Sequence, residues 1–446
     1  MIAGLTALAE EARAWMAAQS LSVQSEIFLS RSEQRRLSRR DGSREVVEVI
    51  SELGAAVRVV QGGRVAFASA GGADLEMIRR LWRSACQQLP CAEPEPGREL
   101  PVPAADREDP HFAASLSDAS LFARSWEELE EASARAEEAA RSGGRVLRSE
   151  FIESRGEVVV ASTRGILSGE RGGAFSIAVS VAAEDGGQTQ VGEGFRTSRR
   201  FESLDCAAAG GEAARRALAG VGAGRVRAGR RAVIFEPWVA AEFLELISDL
   251  LSASEVQGGR SLLAGRLGER VASGLVTVRD EPRALGGPAS ARFDEEGLPT
   301  RDKVMIERGV LREYFHDSAS AARAGVTSNG CGYRSSWRGL PGPGPSNLIL
   351  SAGTISRSAL LSQTRDGVLL MEVLGAHTID PVSGEFSVGV SGYEVENGVL
   401  GRPFKGAMIS GNLLEMLERV EAVADDVLLA GSFGSATMRV RALDIA

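Results

Sequence analysis

Glu242, Glu245 and Asp249 lie three and four residues apart in the segment Trp238–Ser252. On a helix that spacing stacks them on one face. Carboxylates so placed can hold a cation or take a proton from water. Zinc peptidases of the H-E-x-x-H kind add two imidazoles from one helix face. Here the imidazoles are missing. The histidines are His111, His316 and His377, and none lies between His111 and His316. Two carboxylates alone hold hard cations weakly. The plainer reading is an amphipathic helix with a solvated acidic face and a core face of Phe243, Leu244, Ile247, Leu250 and Leu251.

Other candidates have less support. His316 precedes Asp317, a pairing that suits a structural hydrogen bond. His377 sits in the Gly-flanked stretch Gly375-Ala376-His377-Thr378. The cysteines Cys86, Cys91, Cys206 and Cys331 form no CxxC pair. Cys331 as a nucleophile would need a nearby histidine base. Ser176 and Ser261 have no triad context. The run from Gly339 to Pro345 lacks the lysine and the following helix of a phosphate loop, and reads as a mobile loop. Arg225, Arg227, Arg230 and Arg231 precede a strand and read as its solvated edge.

The chain has 446 residues, enough for two or three domains. Hydrophobic residues make up 43% and charged residues 25%, as in soluble globular proteins. A net charge of -9 argues against nucleic acid as a partner. No apolar run reaches the roughly 20 residues that span a bilayer. Ala3–Gln19 reads as an amphipathic helix carrying acidic residues, not as a secretion signal. These features point to a cytoplasmic protein with reduced thiols and no membrane partner.

The elements that must carry these residues fall into an α+β arrangement. Residues 1–89 read as helix Ala3–Gln19, strands Glu26–Ser30, Glu45–Ile50, Ala56–Val60 and Arg64–Ser69, and helix Ala73–Gln88. Gln61-Gly62-Gly63-Arg64 is a hairpin turn. Residues 90–112 are a proline-rich linker. Residues 113–224 hold helix Ser125–Arg141, strands Arg145–Ser154, Glu157–Ser162, Phe175–Ala183 and Gln188–Arg196, and helix Leu204–Ala219. Glu127, Glu128, Glu130 and Glu131 give the first of these helices a solvated acidic face. The shared order of strands then helix suggests a structural repeat. Residues 225–446 open with strand Ala232–Phe235 and the Pro237 helix, continue rich in strands and glycine, and end with helix Leu413–Val423 and strand Thr437–Leu443.

An ordered series of motifs runs through this last part. It comprises Ser261-Leu-Leu-Ala-Gly265-Arg-Leu-Gly268-Glu269, Asp280-Glu281-Pro282, Phe293-Asp294-Glu295-Glu296-Gly297 and Ile306-Glu307-Arg308-Gly309-Val310-Leu311. Thr327-Ser328-Asn329-Gly330, Ser383-Gly384-Glu385-Phe386-Ser387, Glu396-Asn397-Gly398 and Ile409-Ser410-Gly411-Asn412-Leu413 follow. The series resembles the C-terminal domain of the TldD/PmbA (TldD/TldE) metalloprotease family. The resemblance implies a cytosolic two-subunit peptidase acting on unfolded peptides. Its TldD-type subunit holds zinc through an H-E-x-x-x-H helix and a later cysteine. Its TldE/PmbA-type subunit keeps the fold and lacks those ligands.

By that resemblance the metal helix falls on Leu244-Glu245-Leu246-Ile247-Ser248-Asp249. Glu245 keeps the glutamate, while Leu244 and Asp249 stand at the histidine positions. No cysteine lies in Ala424–Ala436. The family resemblance implies a peptide contact for His377. The expectation is a non-catalytic TldE/PmbA-like subunit with no catalytic, metal or cofactor residue of its own. Its partner would be a zinc-bearing TldD-type homologue in a heterodimer, or itself in a homodimer, with unfolded peptide as substrate. The alternatives are a stand-alone homodimeric peptide-binding or regulatory protein, and an enzyme with new chemistry on the acidic helix or His377.

Overall fold

The computed structural model describes residues 2–95, 97–106, 109–376 and 379–446. Helix α1 (Ile2–Gln19) leads into β1 (Gln24–Arg40), β2 (Ser43–Gln61), β3 (Arg64–Gly71) and α2 (Leu75–Gln88). A short α3 (Pro110–Ser115) follows the proline-bearing stretch. The first order then recurs as α4 (Trp126–Ala140), β4 (Arg145–Ser162), β5 (Leu167–Asp185), β6 (Gln188–Ser198) and α5 (Cys206–Ala219). The two runs build one antiparallel sheet, ordered β3-β2-β1-β4-β5-β6. β1 and β4 pair at its centre, from Glu26 opposite Ser162 to Arg39 opposite Ser149.

Strand alternation decides what each face of this sheet meets. Ile27, Leu29, Val57 and Val159 pack with α1 and α2. Phe151, Phe175, Ile177 and Val179 pack with α4 and α5 on the same face. The other face turns Phe28, Ala56 and Val160 toward Leu298 and Trp337 of the C-terminal part. Trp337 lies where a side chain on Gly54 would stand, so only glycine admits the ring there.

The strands run longer than their apolar patterns predict. Glu26–Ser30 is the buried start of a strand reaching Arg40, and Glu45–Ile50 and Ala56–Val60 are one strand. Arg145–Ser154 and Glu157–Ser162 likewise merge. The acidic face of α4 is not simply solvated. Arg39 donates to Glu130 at 2.6 Å and to buried Glu137 at 2.9 Å. Glu128 closes a capping box with Ser125.

The C-terminal part begins with β7 (Gly229–Phe235), α6 (Pro237–Leu250) and α7 (Ala253–Gln257). Next come β8 (Val278–Asp280), β9 (Lys303–Glu307), β10 (Val310–Leu311), α8 (Ser318–Ala324), β11 (Gly332–Tyr333), β12 (Gly342–Pro343) and β13 (Leu348–Leu350). The remainder is α9 (Arg357–Ser362), β14 (Asp366–Leu374), β15 (Glu385–Glu396), β16 (Val399–Asn412), α10 (Leu413–Glu418), β17 (Val420–Val423), β18 (Leu428–Ala430), β19 (Phe433–Ser435) and β20 (Met438–Ile445). One sheet runs β16-β15-β14-β7-β20-β17, and an added β16–β20 pairing closes its first five strands into a barrel. A second sheet runs β10-β9-β8-β13-β19-β18.

Helix α6 shares a core with both sheets, through Phe235, Phe243, Ile247, Leu348 and Met438. Asn397 and Gly398, both with positive φ, form the two-residue turn from β15 to β16. The expected helix Leu413–Val423 stops at Glu418, and Val420–Val423 pairs with β20 instead. No described helix is long and apolar enough to cross a membrane.

Candidate functional site

Pro237 opens α6, where its missing N–H costs nothing. The apolar spacing then turns Phe243, Leu244, Ile247 and Leu250 into the core. Glu245 and Asp249 stand exposed, while Glu242 is half-buried. Glu242 enters a crevice of about 1010 Å³ between the N-terminal sheet and the barrel. Trp238, Arg216, Glu372, and the β6 residues Gln190–Phe195 line the same space. Arg216 stacks over Trp238 at 4.7 Å and donates to Glu212 at 2.6 Å. Burial pushes the Glu242 carboxyl up, Glu245 and Glu372 add to this, and Trp238 and Arg216 act against it.

β6 is the last strand of its sheet, and among the described residues no strand pairs with its outer side. Its Gly192 and Gly194 lie against the backbone of α5, where added side chains would collide. One border of the crevice is therefore a strand edge with N–H and C=O groups to offer. His377 lies outside the described residues, so its expected place in a peptide path stays with the sequence.

Zinc does not fit α6. Leu244, at the first histidine position, is buried in the core and has no donor atom. Asp249 and Glu245 are exposed carboxylates without an imidazole beside them. Among the described residues no three His, Cys, Asp or Glu side chains gather as a metal site.

The remaining candidates have structural partners. Ser176 donates to Thr197, and Ser261 donates to the Leu250 carbonyl. Asp317 caps α8 by accepting from Ser320 instead of engaging His316. His316 Nδ1 is buried without a partner among the described residues. Burial pushes the Cys331 thiol up to about 12, despite Lys303 nearby. Of the arginine run, Arg225, Arg227 and Arg230 are exposed as expected of a solvated edge, and the last member departs from it. Arg231 is buried, and both Arg227 and Arg231 bind Asp366. Residues Gly342–Pro343 of the glycine-rich loop pair with β11.

Sequence reading missed the strongest electrostatic feature, the junction between the two parts. Arg58 of β2 donates to Glu26 of β1 and to Glu296, with distances of 2.5–3.1 Å. Arg334 donates to Glu26 at 2.7 Å. Ser318 adds two hydrogen bonds to Glu296. All four charged side chains are almost wholly buried. Burial alone would raise Glu296, but Arg58 and Ser318 outweigh it and hold the carboxyl below its usual range. Beside it, burial and Glu296 push Asp294 up to about 8, against N–H donation from Gly332, Leu298 and Glu296 itself. The one sequence signal for this junction was the run Asp294-Glu295-Glu296, too acidic for an apolar neighbourhood without partners.

The sequence matches three domain families. They are described as PmbA/TldA metallopeptidase domain 1 over residues 25–87, central domain over 122–221 and C-terminal domain over 228–446. Metalloprotease PmbA of Escherichia coli O157:H7 is 27% identical over 411 residues, covering 90% of this chain and 87% of that protein. A metalloprotease TldD homolog of Haemophilus influenzae is 29% identical over 280 residues, covering 60% of this chain and 58% of that relative. TldE from Thermococcus kodakarensis shares the fold, with a TM-score of 0.86 at 21% identity over 99% of both chains.

Proposed function

The chain belongs to the PmbA/TldD metallopeptidase family, and from that premise we propose that it is a TldE/PmbA-like subunit without a metal centre. The observation that carries this reading is α6. At the metal-helix positions it turns Leu244 into the core and leaves only the exposed carboxylates Glu245 and Asp249, with no imidazole. The zinc, which polarises the carbonyl and acidifies water, would come from a TldD-type partner. This subunit would supply binding. The open edge of β6 suits strand addition by an extended, unfolded peptide, which uses backbone groups and tolerates many side chains. A cytoplasmic setting belongs to the same reading.

The test uses this chain reconstituted with a zinc-bearing homologue. Glu245→Gln in this chain should leave peptide cleavage within about twofold, because a carboxylate without its metal leaves water near its bulk pKa. Loss of the homologue's own metal-helix glutamate should abolish cleavage. Collapse of activity in Glu245→Gln with the complex intact would overturn the reading. So would chelator-sensitive cleavage by this chain alone.

A further inference from the structure

The outer side of β2 is divided. Gly54–Gln61 pairs with β3. The residues before Gly54 pair only inward with β1, and among the described residues no strand covers their outer side. At one end of this bare stretch Leu53 already accepts the Gly72 N–H. At the other a register shift opposite Ser38 and Arg39 interrupts the ladder. The regular bare run is therefore residues 46–52.

The guards of this sheet edge are few: within residues 46–52 the charges are Glu48 and Glu52. The run holds no proline, and its side chains are largely β-branched. Val47, Val49 and Ile50 are 44%, 62% and 47% exposed, unusual for such residues in a strand.

The order of these residues singles out an occupant. Val46-Val47-Glu48-Val49-Ile50 has β-branched residues in mirror order about Glu48. A two-fold axis through Glu48, perpendicular to the sheet, pairs the run antiparallel with its own copy and keeps every side chain on its face. Val47 then stands opposite the partner's Val49, and Val46 opposite the partner's Ile50. Apolar meets apolar on both faces, the favourable case for cross-strand pairs. Only Glu48 meets its like. Each Glu48 is already bound to Arg36 at 2.7 Å, so two guanidiniums offset the two carboxylates at the axis. Sliding the register by two residues would set Glu48 against Ile50 and Val46 against Glu52, which favours the Glu48-centred alignment.

We propose that β2 is a self-docking edge, through which two copies of this chain join their N-terminal sheets antiparallel about Glu48. This concerns pairing of the chain with its own copy, the homodimer that the family resemblance also allows, and rests on nothing about cleavage. The contact is a short strand pair, so association should be reversible and concentration-dependent.

The full chain is followed by light scattering over a concentration series. Wild type should move from monomer to dimer. Val47→Lys combined with Val49→Lys brings like charges together across the axis and should weaken self-association at least about tenfold. At concentrations where both proteins are monomeric its melting temperature should match that of wild type, because both positions are exposed. In a Cys91→Ser background, Glu48→Cys should form a covalent dimer when dissolved oxygen and catalytic copper oxidise the two thiols to a disulfide. Val46→Cys should not, because its opposite residue is Ile50. A wild type that stays monomeric overturns the proposal, and if it still pairs with a zinc-bearing homologue the subunit reading survives. A dimer that resists the lysine pair and gives no Glu48→Cys crosslink also overturns it, because another surface then holds the copies together.

Discussion

At the Arg58 junction, Glu26 and Glu296 are buried and each is met by guanidinium groups at hydrogen-bond distance. Along the α6 crevice, Glu242 and Glu372 line one space with less cationic compensation, and burial, with the charges of Glu245 and Glu372, pushes Glu242 toward its neutral form. One region consumes its charges in holding the molecule together. The other leaves them toward an open space. Carboxylates in the sequence therefore say little by themselves, and the partner groups decide whether they are mortar or binding surface.

The sharpest way to break this comparison is Arg58→Ala. It leaves buried Glu296 without a cation and buried Glu26 with Arg334 alone, and should cost about 3–5 kcal/mol of stability in urea denaturation. Glu245→Ala, on the exposed face of α6, should stay within about 0.5 kcal/mol. Equal losses would mean the two regions carry similar structural weight.

pH separates them next. Asp294 keeps its proton in the folded protein up to about 8, whereas its ordinary value is 3.8. Between those values the folded state holds a proton that the unfolded state has released. Stability from this group therefore falls as pH rises through that window and levels off above it. Glu296 works in the opposite sense. Its lowered value stabilises above the ordinary 4.5 and loses that contribution only in more acidic solution. The melting temperature should thus be lower at pH 8.5 than at pH 6. Asp294→Asn should flatten that slope, at some general cost from the lost acceptor for Gly332. A slope unchanged in the variant would place its origin elsewhere.

Glu242→Gln should have a smaller effect, a gain of a few tenths of a kcal/mol at neutral pH, because it removes a charge held up by burial beside Glu245 and Glu372. A clear loss in thermal melts would reveal that Glu242 is structurally paired. Thiol labelling should leave stability untouched. A small aromatic disulfide reagent should react with exposed Cys91 and leave buried Cys331 unmodified until the chain unfolds. Early labelling of Cys331 would show that the junction opens readily.

The contrast also explains what could be read in the sequence. Helix α6 was legible because Pro237 starts it and its apolar spacing is helical. The full length of β1 was not, because Arg31–Arg40 looks like a solvated polar stretch. In the sheet those residues are paired with neighbouring strands and with α4. Arg35 binds buried Glu153, Arg39 binds Glu137 and Arg36 binds Glu48. A strand stabilised by ion pairs has no apolar alternation to display. The same blindness hid the junction, since Glu26 and Arg58 are ordinary residues until the fold brings Glu296 and Arg334 to them. Val420–Val423 was misread because its apolar residues continue the helical run of Leu413–Leu417, and only the pairing with β20 decides the matter.

The closing strand of the barrel has a consequence for how the molecule is made. Gly229 pairs with Ile445, and Ile409 pairs with the same residue from the other side. β7 therefore waits for β20 through the whole translation of the intervening chain. Contacts of such long sequence separation fold slowly. During that delay β7 and β16 present unmatched edges, the condition in which nascent chains aggregate or recruit chaperones. Quality control in the cell would meet this protein as a barrel with one stave missing.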